Sequence, residues 1–249
     1  MAGPERFQLR ALQPADAVLV GALVTRAARS AQSLEEAAAG IVTGLYESLE
    51  DADLEGPSLA LARFYRTISF SDLEPDLQEM AMAVPGQDLA QPRAAMKCLT
   101  LMGTAGIEPA WNSRRTSARH RVIPLPSPAA VDRLPMVSRL IKELGMSVAN
   151  LVEVTTDPFL QPEAGRARLF HVEEAHGSPF IPDQEDFVRR YGIRSVVGFG
   201  SSLQSGDLWA VILFTRVPVS VKVARLFLML ATDIKIAILP VLSNRFFAA

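Results

Sequence analysis

Few side chains in this sequence are equipped for bond-making chemistry. His120, His171 and His176 are the three imidazoles. His171 and His176 lie five positions apart. That is not the i, i+4 spacing that sets two ligands on one helix face, and with no H-E-x-x-H present no metal centre is expected. Cys98 is the single cysteine, so neither a disulfide within the chain nor a cysteine cluster can form. It reads as a small buried hydrophobe beside Leu99 and Leu101. No G-x-S-x-G elbow occurs, and Gly200-Ser201-Ser202 does not supply one. The carboxylates Glu173, Glu174, Asp183, Glu185 and Asp186 suit a solvated loop and a helix N-terminus. A non-enzymatic protein is therefore expected. The densest polar cluster is Arg114, Arg115, Arg119, His120 and Arg121, with Trp111 nearby. Guanidinium forks at this density could clamp a phosphate or carboxylate, or meet an acidic partner face, and the alternative is a solvated loop.

The stretch GIRSVVGFGSSLQSGDLWAVILFTRVPVS, from Gly192 to Ser220, contains four glycines and could be a phosphate-cradling loop or a hairpin. A phosphate loop needs its glycines at the start of a helix, where free N–H groups face the anion. Here Gly198 and Gly200 sit inside an apolar run, and Leu208 to Phe214 continues in the same character. Two antiparallel strands follow, 194–203 and 208–215, joined through residues 204–207. Glycines inside a strand point to something packed closely on that face, either a ligand or the last helix. That helix is expected after Pro218 with Ser220 as its cap, and Val223, Phe227, Leu230, Ile234 and Ile238 form a stripe for the sheet. Leu226, Met229 and Ile236 widen its apolar surface beyond one face, as a second subunit would require. Phe199, Trp209 and Phe214 could line a pocket for a flat ligand or fill the core.

Composition sets the outer limits. Apolar residues make up 49% of 249 positions, ample for a core, and a formal net charge of -2 leaves no basic footprint for nucleic acid. No charged n-region followed by an apolar core opens the chain, so a cytoplasmic location is expected. The apolar segment 224–242 is interrupted by Asp233 and Lys235 and begins at Arg225, which suits a buried or interfacial helix better than a bilayer span.

The remaining elements read from the N-terminus. Pro14 opens a helix to about residue 31, and Ser33 with Glu36 has capping-box spacing for a second helix running toward Gly56-Pro57. Residues 58–65 alternate as a strand, with Leu59, Leu61 and Arg63 on one face and Ala60, Ala62 and Phe64 turned to the core. Residues 94–102 form the next strand. Residues 103–135, broken by prolines, are expected to be an irregular excursion or lid. A short helix follows, with Val137, Leu140, Ile141 and Leu144 closed by Gly145. Residues 148–154 and 168–173 are strand candidates, and 183–191 is a short helix with Asp183 as N-cap.

With this order in hand, the run Tyr191-Gly192-Ile193-Arg194-Ser195-Val196, the Ser-Gly-Asp turn, the strand LWAVILF and the helix VARLFLMLATDIKIAI resemble the C-terminal half of a GAF domain, over about 170–239. The resemblance implies an α+β fold of PAS-like architecture: an antiparallel sheet with helices on one face and a small-molecule pocket beneath loops on the other. It divides the chain into an N-terminal helical extension, 1–32, and a GAF-like domain, 33–249, with the excursion 103–135 inserted. It implies ligand sensing and a homodimer through terminal helices. The span 72–135 is longer than the family pattern, and no kinase, cyclase or DNA-binding segment is recognisable, so a partner protein is expected to carry the output. The resemblance places His176, in HGSPFIP, near the pocket rim, with the loop-fixing or exposed imidazole as the alternative. Tyr191, Arg194, Phe199 and Trp209 complete the candidate ligand contacts. The cofactor is unidentified; a scaffold domain whose pocket is filled by side chains is the second reading, and an enzyme of unknown reaction the third.

Overall fold

The computed structural model describes residues 5–84, 94–153, 165–203, 205–242 and 246–248. Helix α1, Pro14–Ala28, starts on proline, where the missing N–H costs nothing, and Gln13 and Asp16 cap each other reciprocally. Helix α2, Leu34–Ser48, is capped by Ser33, whose Oγ accepts from the Glu36 N–H at 3.1 Å. The Glu36 carboxylate accepts from Gln32 rather than Ser33. α2 stops at Ser48, well short of Gly56-Pro57, because the chain turns extended there and Leu49 forms a parallel bridge with Phe7.

The sheet has six strands: β1 Leu59–Ser69, β2 Lys97–Gly106, β3 Val122–Pro124, β4 Arg168–Val172, β5 Ser195–Ser202 and β6 Leu208–Thr215. Their spatial order is β3-β2-β1-β6-β5-β4, and every neighbouring pair is antiparallel. The glycine-bearing stretch is thus the β5-β6 hairpin. Gly198 is needed because a Cβ there would stand 3.0 Å from Phe170 and 3.3 Å from Leu140, and at Gly200 it would meet the Trp209 carbonyl at 2.1 Å. The close approach comes from this chain's own β4, β6 and Leu140, not from the last helix.

The long helices lie on one face. α1, α2 and α8, Phe227–Ile238, pack with Phe64, Trp209 and Phe199 into the larger core. Phe64 stacks on Trp209 at 5.7 Å, and Phe199 meets Phe227 at 5.3 Å. The expected stripe Val223, Phe227, Leu230, Ile234 and Ile238 is buried throughout, but the helix comes in two pieces, α7, Val221–Ala224, and then α8.

The other face is covered by the excursion. It is more regular than expected, holding β3 and α4, Pro128–Asp132, and the helix expected after it is α5, Pro135–Glu143; both helices begin on a proline that would break a helix interior but suits its first turn. α3, Pro75–Met82, and α6, Val148–Glu153, complete the helices. α6 replaces the expected strand over its described part, because Val148, Leu151 and Val152 recur at helical spacing and Val148 and Leu151 are buried with Ile141 and Leu144. Position 154 lies outside the described residues. Strand β1 also departs from simple alternation: a register shift between Leu59 and Leu61 turns Leu59 to the helical face and Leu61 to the other. Asp183 has φ 54° and makes no side-chain cap; a π-helical turn, Gln184–Arg189, follows it, and its carboxylate goes to Arg119 instead.

Candidate functional site

Between the second sheet face and the excursion lies a cavity of about 1000 Å³, within the size range of small-molecule sites. Its floor comes from alternate residues of central strands: Leu61, Arg63 and Tyr65 of β1, and Ile212 and Phe214 of β6. The two-residue period of a strand places these on one face, and the Leu59/Leu61 bulge sets which face that is.

One wall is aromatic. Trp111 lies 4.7 Å from Tyr191 and 5.9 Å from Phe187, and Phe187 meets Phe214 edge-on at 5.0 Å. Offset and edge geometries of this kind leave flat apolar surface for a ring to lie against. The opposite wall is formed by α5 and the turns before it, through Leu134, Met136, Val137 and Leu140.

Arg63 is the polar feature of the floor. Its residue is 7% exposed, its Nη1 donates to the Tyr65 hydroxyl at 3.1 Å and its Nη2 to Ser117 Oγ at 3.0 Å, while Nε has no hydrogen-bond partner. Tyr65 in turn donates to the His120 carbonyl at 3.1 Å. His120 holds φ 60°, a left-handed conformation that costs a non-glycine residue energy and sets its ring at the cavity wall. The residue as a whole is exposed, yet protein atoms crowd its ring. That desolvation, followed by the charge of Arg63, lowers the imidazole pKa below its ordinary value.

The sequence candidates divide. Tyr191, Arg119, His120 and Arg121 line the cavity, as does Trp111. Arg119 pairs with Asp183 at 3.1 Å and Arg121 with Asp76 at 2.7 Å. Phe199 and Trp209 are fully buried in the core on the opposite side of the sheet, where the strand period turns them away from the cavity. His176 accepts from Arg189 Nε at 3.0 Å on the surface, and Arg194 is exposed; neither lines the cavity. Neither Arg114 nor Arg115 lines the cavity: Arg114 is buried and Arg115 exposed. Arg114 bridges Glu35 at 2.7 Å and Glu74 at 2.5 Å, and Arg115 approaches Glu74 at 3.6 Å. His171 Nε2 stands 2.8 Å from the Val219 carbonyl, so the imidazole donates. Cys98 is buried among apolar neighbours, and burial pushes its thiol up to about 12. Among the described residues no group of three His, Cys, Asp or Glu side chains is placed to hold a metal, and no helix is long and apolar enough to cross a membrane.

Sequence reasoning missed Arg63 as a site residue. The signal was present: a charged side chain in phase with Leu61 inside an apolar strand can be tolerated only beside a polar partner or a cavity.

No family model and no curated protein matches the chain. Among solved structures it is similar to the GAF domain of a phosphoenolpyruvate-protein phosphotransferase from Coxiella burnetii, at 10% identity and TM-score 0.44, covering 92% of this chain and 96% of that one. It is also similar to the phycoerythrobilin-bound GAF domain of a cyanobacterial phytochrome, at 12% identity and TM-score 0.42, covering 92% and 95%. A third likeness is to the N-acylhomoserine lactone dependent LuxR family factor CepR2 from Burkholderia cenocepacia, at 13% identity and TM-score 0.41, covering 93% and 97%. The chain is thus similar to GAF domains in its fold, and at these scores the likeness carries no argument about ligand or partner.

Proposed function

We propose that this protein is a non-enzymatic regulatory domain that senses a small molecule in the cavity over the second sheet face and signals through a partner protein. The cavity itself carries this reading. An apolar enclosure with a few convergent polar groups is what small-molecule sites share, and a scaffold domain would have filled the space with side chains. The polar groups at its wall, guanidiniums, two phenols, an imidazole and two carboxylates, are suited to binding and orienting a ligand. A homodimer through the terminal helices belongs to the same proposal, because α1 and α8 pack side by side and expose Val18, Met229 and Ile236. The single buried thiol suits a cytoplasmic setting.

The test is calorimetric titration with naphthylacetamide, a flat neutral probe, alongside native mass spectrometry of the purified protein. Saturable binding that raises the melting temperature, and that weakens about tenfold when Phe187→Ala removes part of the aromatic wall, is the expected result. Absence of any binding, with no retained molecule in the native spectrum, would leave the scaffold reading in its place.

A further inference from the structure

The cavity is cationic in a chain whose net charge is -2. Five guanidiniums line it, those of Arg63, Arg119, Arg121, Arg133 and Arg190, against the carboxylates of Asp183 and Asp186. They are not equivalent. Arg119 and Arg121 are engaged by Asp183 and Asp76, and Arg133 and Arg190 are exposed to water. Arg63 alone in this wall is buried without a counter-charge among the described residues: both hydrogen-bond acceptors it has are neutral hydroxyls, and its Nε has none. Burying a guanidinium in this way is costly unless an anion offsets it, because a neutral hydroxyl returns little of the lost hydration. The side chain is also held for use. Tyr65 and Ser117 fix the planar group from two sides at the floor of the cavity, facing a space walled by Trp111, Phe187 and Tyr191.

We infer that Arg63 anchors the anionic head of the ligand, and that the ligand is a flat, largely apolar organic acid whose body lies against the aromatic wall. This rests on the cavity being a ligand site, as proposed above. Each Nη of the Arg63 fork keeps a second N–H beyond the one given to Tyr65 or Ser117, which suits a carboxylate, and the lone uncompensated charge calls for a monoanion.

The experiment compares naphthylacetate with naphthylacetamide, which share a body and differ in charge, by titration calorimetry of the full chain. In the wild type the acid binds about 10–100-fold more tightly than the amide, the range a charge-assisted hydrogen bond provides. In Arg63→Gln the two bind alike, and in Arg194→Gln, an exposed arginine outside the cavity, the preference survives. Should Arg63→Gln not fold, Arg63→Met takes its place, because exchanging a buried charge for an apolar chain of similar volume is often neutral or stabilising. Equal binding of acid and amide by the wild type would overturn the inference and leave the sensing pocket standing. A preference that persists without Arg63 would also overturn it. Failure of both probes to bind would remove the pocket reading and this one together.

Discussion

Asp207 shows how much one side chain in this chain can carry. It sits in the β5-β6 turn, accepts from Lys97 Nζ at 2.8 Å and lies 3.6 Å from Arg66, and it also meets Thr67 and Ser205. Arg66 is buried and donates to the Leu242 carbonyl at 2.8 Å. Asp207→Ala would strand that charge, so a loss of about 3–5 kcal/mol is expected in urea unfolding. Phe227→Ala belongs to the same range for a different reason: its ring is fully buried against Phe199, and the cavity left behind should cost about 3–5 kcal/mol. A cost below about 1 kcal/mol at Phe227 would mean that the site collapses around the smaller side chain. His120 gives a pH test. Its folded pKa lies below the ordinary 6.5, through burial first and Arg63 second, so the unfolded chain takes up the proton more readily. Stability therefore holds above about pH 6.5 and falls as pH drops through the folded pKa. The drop in melting temperature from pH 7 to 5 should be smaller in His120→Asn, and an unchanged slope would show that the imidazole is not the group responsible.

At the scale of elements, the sequence disclosed what depends on local periodicity and concealed what depends on the opposite face. The hairpin, the capped α2 and the buried stripe of α8 could all be read because each has a repeating apolar pattern and a terminal signal. α6 reads as a strand in sequence because six residues with two valines fit both periods, and only packing against α5 decides. Phe199 and Trp209, which the sequence leaves open to pocket or core, fill the opposite core, since composition reveals that a strand is buried but not which face looks into a cavity. The loop 113–121 belongs to neither pattern, yet it joins two sites. Ser117 and the His120 carbonyl secure the Arg63-Tyr65 pair, while Arg114 ties Glu35 at the start of α2 to Glu74 before α3. Arg114 also lies over the Phe247 ring at 4.8 Å, and Glu35 accepts from the Ala248 N–H at 2.9 Å, so residues 246–248 dock on this clamp. Arg114→Ala should cost about 3–5 kcal/mol and open residues 246–248 to proteolysis. Burial alone would raise the Glu35 carboxyl, but the hydrogen bonds and charge of Arg114 and the Ala248 N–H hold it below the ordinary 4.5. The clamp should thus stay intact at pH 4.5 and loosen only as pH falls below it, which amide exchange at Ala248 would follow.

For the whole molecule, the sheet separates two surfaces that the proposed function must connect: the cavity with Arg63 on one side, and the exposed flank of α1 and α8 on the other. That flank exposes large apolar side chains beside Thr25, Arg26, Arg29 and Asp233. Val18 is 56% exposed, Met229 41% and Ile236 60%, and Val18 and Met229 line the same groove between the helices. Met229 and Ile236 are seven residues apart, two helical turns, so they share a face of α8. Asp233 lies between them in sequence, and partial burial raises its carboxyl above the ordinary value. A second copy of the chain covering this flank would shelter the exposed apolar side chains without disturbing either core. Ile236→Glu would place a charge there that a dimer must bury and a monomer need not. Sedimentation of the wild type should therefore show dimers that Ile236→Glu converts to monomers with its melting temperature in dilute solution unchanged. A wild type that sediments as a monomer at high micromolar concentration would end the proposal that the terminal helices pair, while leaving the cavity and its Arg63 untouched.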